Sequence, residues 1–155
     1  MLLNPYRFAS AGGGSGHRYW RLINIAVDGG YLEISELRVV NGSTPLSVAA
    51  ATAATAPAGG QSGFGVVADL MDGSTSTRTY WTAAAAEDSG FWIRVDLGSP
   101  QVVTGMQMAG FDTASRYPTD ITLQWSDDDS AWTTFGTWSG LTYPGDNTAG
   151  PVLTL

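Results

Sequence analysis

The chain contains no cysteine, no lysine and a single histidine. Without cysteine there are no disulfides, no thiolate metal sites and no cysteine nucleophile, so folding rests on packing, helped at most by a hard cation. All seven basic residues are arginine and the net charge is −7, a balance that repels a phosphate backbone needing several neutralising contacts. Nucleic acid and anionic membranes are disfavoured as partners. No apolar run approaches the ~20 residues of a bilayer span, so membrane insertion is not expected. The opening "MLLNPYRFAS" lacks both a basic start followed by an apolar stretch and a small-residue cleavage site, so no signal peptide is expected. Charged residues are scarce, 14% of the chain against 43% hydrophobic. Solubility then falls to Ser, Thr, Asn and Gln, in a composition that is otherwise globular.

At 155 residues a single domain is the expectation, with an N-terminal extension. Residues 1–16, "MLLNPYRFASAGGGSG", join an apolar patch to a glycine linker, which has no side chains to pack. Leu2, Leu3, Tyr6 and Phe8 are costly to leave in water, which makes this segment a candidate tether docking on another protein. A frayed end without a role is the alternative.

Residues 17–155 read almost entirely as strand. "YWRLINIAV" (19–27) and "YLEISELRVV" (31–40) are rich in β-branched and aromatic residues. The "DGG" between them predicts an antiparallel hairpin. "SVAAATAATAPAGGQSG" (47–63) has no amphipathic stripe and reads as a weak strand and long loop, with a short helix over 48–54 as the alternative. In "FWIRVDL" (91–97), Phe91, Ile93, Val95 and Leu97 alternate with Trp92, Arg94 and Asp96, as on a strand with one face buried. "VVTGMQMAGF" (102–111) and "DITLQWS" (120–126) repeat the pattern; "SDDDSAW" (126–132) is a polar turn, "WTTFGTW" (132–138) follows, and "GPVLTL" ends the chain. Short strands separated by Gly and Pro, with no convincing helix, predict an all-β antiparallel β-sandwich.

Three of these segments, "ADLMDGSTSTRTYW" (68–81), "FWIRVDLGSPQVVTGMQM" (91–108) and "YPTDITLQWSDDDSAW" (117–132), resemble in order the A-x-x-x-DG-x-x-x-T-x-x-W loop, the W-I-x-V-D-L-G strand and the P-x-x-[FI]-x-[LV]-x-x-S-x-D-[GD]-x-x-W hairpin of discoidin domains. These are also called coagulation factor 5/8 type C domains. The resemblance implies a galactose-binding-like jelly roll and a non-catalytic binding role. "RYWRLINI" and "ISELRVVNG" are similar to strands that usually close such a domain at its C-terminus, so a circularly permuted order is expected. "NPYRFA" with a glycine linker is similar to modules among bacteriophage structural proteins. That similarity implies a virion location in several copies, synthesis in the host cytoplasm, and contact with other virion proteins through residues 1–16. A host surface glycan is the ligand it suggests. A decoration protein with no ligand of its own is the alternative.

The loop at 68–77 offers carboxylates, hydroxyls and carbonyls, the oxygen donors that Ca²⁺ takes. The resemblance assigns a structural ion there to Asp72, Ser74, Thr77 and Glu36; Asp69 is added by proximity alone. An Asp-Gly turn bonded to its own backbone is the competing reading. "SDDDS" lacks the glycine and terminal glutamate of a helix-loop-helix calcium loop and reads as a solvated turn. No carboxylate pair stands out for glycoside hydrolysis. His17, beside the linker and without a nucleophile elbow upstream, reads as an exposed residue. Loop aromatics Tyr31, Phe111, Tyr117, Trp138 and Tyr143 are candidates for stacking on a sugar ring, with Arg116 and Asp112 supplying directed hydrogen bonds.

Overall fold

A computed structural model describes residues 16–53 and 65–155. The tether with Leu2, Leu3, Tyr6 and Phe8, and most of the loop expected after residue 53, lie outside the described residues. The first strand, β1 (His17–Val27), runs through the middle of a five-stranded antiparallel sheet, hydrogen-bonded on one side to β7 (Ile93–Gln101) and on the other to β9 (Pro118–Ser126). The edges of that sheet are β5 (Ala50–Ala53), beside β7, and β10 (Thr133–Ser139), which forms a hairpin with β9. The opposing four-stranded sheet has the order β11 (Leu153–Thr154), β8 (Gly105–Ala109), β3 (Glu36–Asn41), β4 (Thr44–Pro45). A two-stranded ribbon of β2 (Tyr31–Ile34) and β6 (Thr79–Thr82) closes one end. Among the described residues, helix is confined to α1 (Ala83–Ala86) and two 3₁₀ turns, Val67–Met71 and Ala114–Arg116.

The expected hairpin between 19–27 and 31–40 does not form. β1 is paired with β9 from Tyr19 to Val27 and with β7 over His17–Leu22, and the chain leaving Val27 crosses to pair with β6 and then β8 instead of folding back beside it. The glycines of Asp28-Gly29-Gly30 serve that crossing. A Cβ on Gly29 would lie 2.6 Å from the carbonyl oxygen of Ser115, so only glycine lets this turn rest against the 114–116 turn. The 50–53 segment is strand rather than helix.

The core follows from strand alternation. Trp20 and Leu22 of β1, Ile93 and Val95 of β7 and Leu123 of β9 face Leu37 and Val39 of β3 and Met106 of β8. Strict alternation would have turned Asn24 inward. Instead the register slips between Ile23 and Ala26, Asn24 takes a left-handed backbone (φ 49°), and Ile25 is buried. Asn tolerates that conformation and a bulge resets the inward face. Leu32, Ile34 and Trp81 of the ribbon join the same core, with Trp81 edge-on to Phe91 at 5.4 Å.

The acidic turn at 126–130 is structural. Asp128 accepts backbone N–H bonds from Ser130 and Ala131 (both 2.9 Å), which holds its carboxyl far below the usual range. Asp129 pairs with Arg94. Asp127 accepts from His17 Nδ1 at 2.9 Å, while the imidazole stacks on Trp125 at 3.4 Å. His17 is thus packed and hydrogen-bonded, not the exposed linker residue expected.

Candidate functional site

β2 and β6 pair with Tyr31 opposite Thr82, Leu32 opposite Trp81 and Glu33 opposite Tyr80. Because side chains alternate, Leu32 and Trp81 enter the core while Tyr31, Glu33 and Tyr80 share the other face, toward the loop end of the sandwich. Glu33 is 2% exposed, a position a carboxylate holds only when paired. Arg78 Nη1 donates to its Oε1 and Arg116 Nη1 to its Oε2, each at 2.9 Å. Arg78 also donates to Asp112 Oδ2 at 3.2 Å. The bond to Glu33 raises the Arg116 pKa.

Aromatic rings frame these guanidinium groups. Arg78 lies 4.3 Å from the Phe111 ring and 5.6 Å from Tyr80; Arg116 lies 5.4 Å from Tyr31; Tyr31 and Tyr80 meet edge to face at 5.6 Å. Tyr31 is 36% exposed, and half of the Asp112 carboxylate surface is open. The cluster therefore offers fixed N–H donors, an accessible carboxylate and aromatic faces, the combination that grips vicinal hydroxyls and the C–H face of a sugar ring. Past the 114–116 turn a cleft of about 380 Å³ is lined by Asp28, Ser115, Tyr117, Thr119, Thr142 and Tyr143.

Of the seven expected ligand residues, Tyr31, Phe111, Asp112 and Arg116 come together. Tyr117 does not join them: it is buried, its ring against Tyr143 at 5.9 Å, and burial pushes its hydroxyl pKa up to about 12. Trp138 and Tyr143 pack against the core. Glu33, Arg78 and Tyr80 were not singled out from sequence. A lone glutamate between Leu32 and Ile34 is the one signal that pointed to them, since alternation sets it on its own face.

The oxygen-rich loop occupies a different place, beside β3. Asp72 Oδ1 accepts from Ser74 N at 2.7 Å, and Thr77 Oγ1 donates to Asp72 Oδ2 at 2.8 Å and to the Ser74 carbonyl at 3.1 Å. Glu36 faces this loop from β3, where the Gly73 backbone and the Asp72 carboxylate both act on its carboxyl group. One Glu36 oxygen, Oε2, is buried with no hydrogen-bond partner. Asp69 does not join them; its Oδ2 accepts from Val66 N at 2.9 Å and caps its own 3₁₀ turn. No group of three or more His, Cys, Asp or Glu gathers among the described residues, so an ion here would depend on hydroxyl and carbonyl oxygens as well. An orphaned buried carboxylate oxygen beside Asp72, Ser74 and Thr77 fits a hard cation.

A two-layer antiparallel sandwich with a cluster of arginines, carboxylates and aromatic rings at its loop end is the architecture of a class of binding domain. The F5/8 type C domain model matches residues 50–154, and the chain belongs to that family, whose members are generally non-catalytic binding modules. No curated protein and no solved structure matches the chain. The matched segment starts at β5, so the middle strand of the five-stranded sheet, β1, and an inner strand of the other sheet, β3, precede it.

Glu33→Gln is expected to lower stability by about 3–5 kcal/mol, because it removes the carboxylate that two half-buried cations share. Urea unfolding measures this. Arg116→Ala should then cost less in the Glu33→Gln background than alone; equal costs would show that the pair is not coupled.

Proposed function

We propose that this domain is a non-catalytic module that recognises carbohydrate through Tyr31, Glu33, Arg78, Tyr80, Phe111, Asp112 and Arg116. The observation that carries this reading is the buried Glu33 carboxylate holding two guanidinium groups in place beneath aromatic faces. Donors fixed before the ligand arrives lose little entropy on binding. Arg116 and Asp112 address hydroxyl groups, Phe111 and Tyr31 take the ring face, and the cleft beyond the 114–116 turn gives a further sugar unit a polar wall. Glu33 keeps its role as the buried anchor, not as an acid or base.

The same reading includes a structural Ca²⁺ held by Glu36, Asp72, Ser74 and Thr77, supported by the unpartnered Glu36 oxygen. It also includes a permuted order, in which β1 and β3 supply from the N-terminal side the strands that relatives supply at the end. Carriage on a bacteriophage particle is the setting we favour, on the strength of the "NPYRFA" and glycine-rich N-terminal sequence.

Four measurements check these statements. On a glycan array followed by calorimetry, Phe111→Ala and Arg116→Ala should each weaken binding of the best glycan about tenfold or more without changing the far-UV spectrum; a wild-type domain that binds no glycan ends the proposal. Burial, with Asp72 adding to it, raises the Glu36 pKa to about 6 from 4.5. The stability from protonated Glu36 is thus fully present below pH 4.5 and lost as pH rises through about 6, a loss of about 2 kcal/mol. Glu36→Gln should flatten that slope. Millimolar Ca²⁺ should raise the melting temperature at pH 7.5 in the wild type but not in Glu36→Gln or Asp72→Asn. Deleting residues 2–10 should abolish incorporation into particles and leave the melting temperature unchanged; normal incorporation would remove the phage setting.

A further inference from the structure

The outer face of the five-stranded sheet carries a band of guanidinium and indole groups that the loop-end cluster does not use. Trp20 and Leu22 point inward, so Tyr19 and Arg21 stand on the outer face, where Arg21 has Arg94 of β7 on one side and Gln124 of β9 on the other. Like charges directly opposite on neighbouring strands are destabilising. Most of the band is compensated. Arg18 is held by both oxygens of Asp96, at 2.8 and 2.9 Å, and Arg94 pairs with Asp129 and lies 5.4 Å from the Trp92 ring.

Arg21 is the exception. Among the described residues it is the one arginine with no carboxylate in salt-bridge contact. Its Nε donates to Gln124 Oε1 at 2.9 Å and its guanidinium stacks on Trp132 at 4.2 Å, while its Nη groups have no acceptor among the described residues. Partial burial lowers its pKa against a weaker opposing pull from Asp129, which bonds Arg94 and makes no salt bridge with Arg21. Of the three arginines here, Arg18 and Arg94 are paired with Asp96 and Asp129, on a chain whose net charge is −7.

We propose that this face is a second ligand site, which binds an acidic polysaccharide of the uronate type with a carboxylate held between Arg21 and Arg94 and sugar rings against Trp132 and Trp92. Charge complementarity selects the occupant. A carboxylate in that position supplies the missing acceptor for Arg21 and relieves its opposition to Arg94. A uronate chain separates its charges by ring faces that suit the indoles, whereas a denser phosphate polymer meets the repulsion of the whole acidic domain. Thr134, bonded to Gln124 at 3.3 Å, continues the polar face onto β10. This site does not depend on the loop-end reading.

Affinity electrophoresis through gels containing polygalacturonate, neutral galactan or polyphosphate tests it. Polygalacturonate should retard the wild type, with weaker retardation as salt is added; galactan should not act through this face. Arg21→Gln and Trp132→Ala should each weaken the polygalacturonate interaction at least tenfold, and Phe111→Ala should leave it unchanged. Melting temperatures confirm that each variant folds, and Trp132→Ala, beside the turn, carries the test if Arg21→Gln does not fold. The proposal is overturned by a wild type that polygalacturonate does not retard, by retention equal in Arg21→Gln, by an equal loss in Phe111→Ala, which moves the binding to the loop end, or by polyphosphate binding as tightly with the same dependence on Arg21.

Discussion

A strand with neighbours on both edges dictates where the chain goes next, and β1 is such a strand. Its burial of Trp20, Leu22 and Ile25 anchors one layer of the core, and its bonds to β9 and, over His17–Leu22, to β7 leave little free edge for the residues that follow. The chain must therefore cross at Asp28-Gly29-Gly30, close against Ser115, and re-enter as β2 at the end of the sandwich. That crossing carries Tyr31 and Glu33 to the place where the turn bearing Arg116 already lies. The loop-end cluster is thus a consequence of strand order as much as of its own side chains.

Electrostatics then decides how those side chains behave. Burying a carboxylate costs several kcal/mol unless its lone pairs are met, and Glu33 meets that cost with two guanidinium groups from different parts of the chain, 45 and 83 residues away in sequence. The arginines are in turn braced by Phe111, Tyr80 and Tyr31, whose faces attract a cation most when it is partly desolvated. Glu36 is the contrast: it is equally buried, yet Arg38 approaches only to 3.6 Å and one oxygen is unmet.

Period-two alternation made the sheets legible. Phe91, Ile93, Val95 and Leu97 are all buried, as are Ile121 and Leu123, because a residue's face is a local property of a strand. Partner choice is not local, which is why Asp-Gly-Gly suggested a hairpin where the chain changes layer. Phe111 and Arg116, in and beside the 114–116 turn, were singled out for the same local reason and lie in the cluster. Glu33 and Arg78 were not, since an ion pair across 45 residues leaves no short-range trace. Tyr117 misled because its position at the entry to β9 looks like a loop, while its ring packs inward against Tyr143. Asp69 and Asp72 are three residues apart, yet one caps its own turn and the other organises the following loop.

The six arginines of the described residues divide by what faces them, and that division bears on ligand chemistry. At the loop end Arg78 and Arg116 already hold Glu33, and Arg78 also holds Asp112, so the charge there is close to balanced. What remains for a ligand is the directionality of fixed N–H edges, which suits neutral hydroxyl groups and penalises a second anion beside Asp112. On the sheet face Arg21 has an amide and an indole but no carboxylate in salt-bridge contact, and Asp129, which bonds Arg94, offsets its charge only in part. The same residue type thus prepares one surface for an uncharged polyol and another for an anion, and what separates them is a single buried glutamate that one site has and the other lacks.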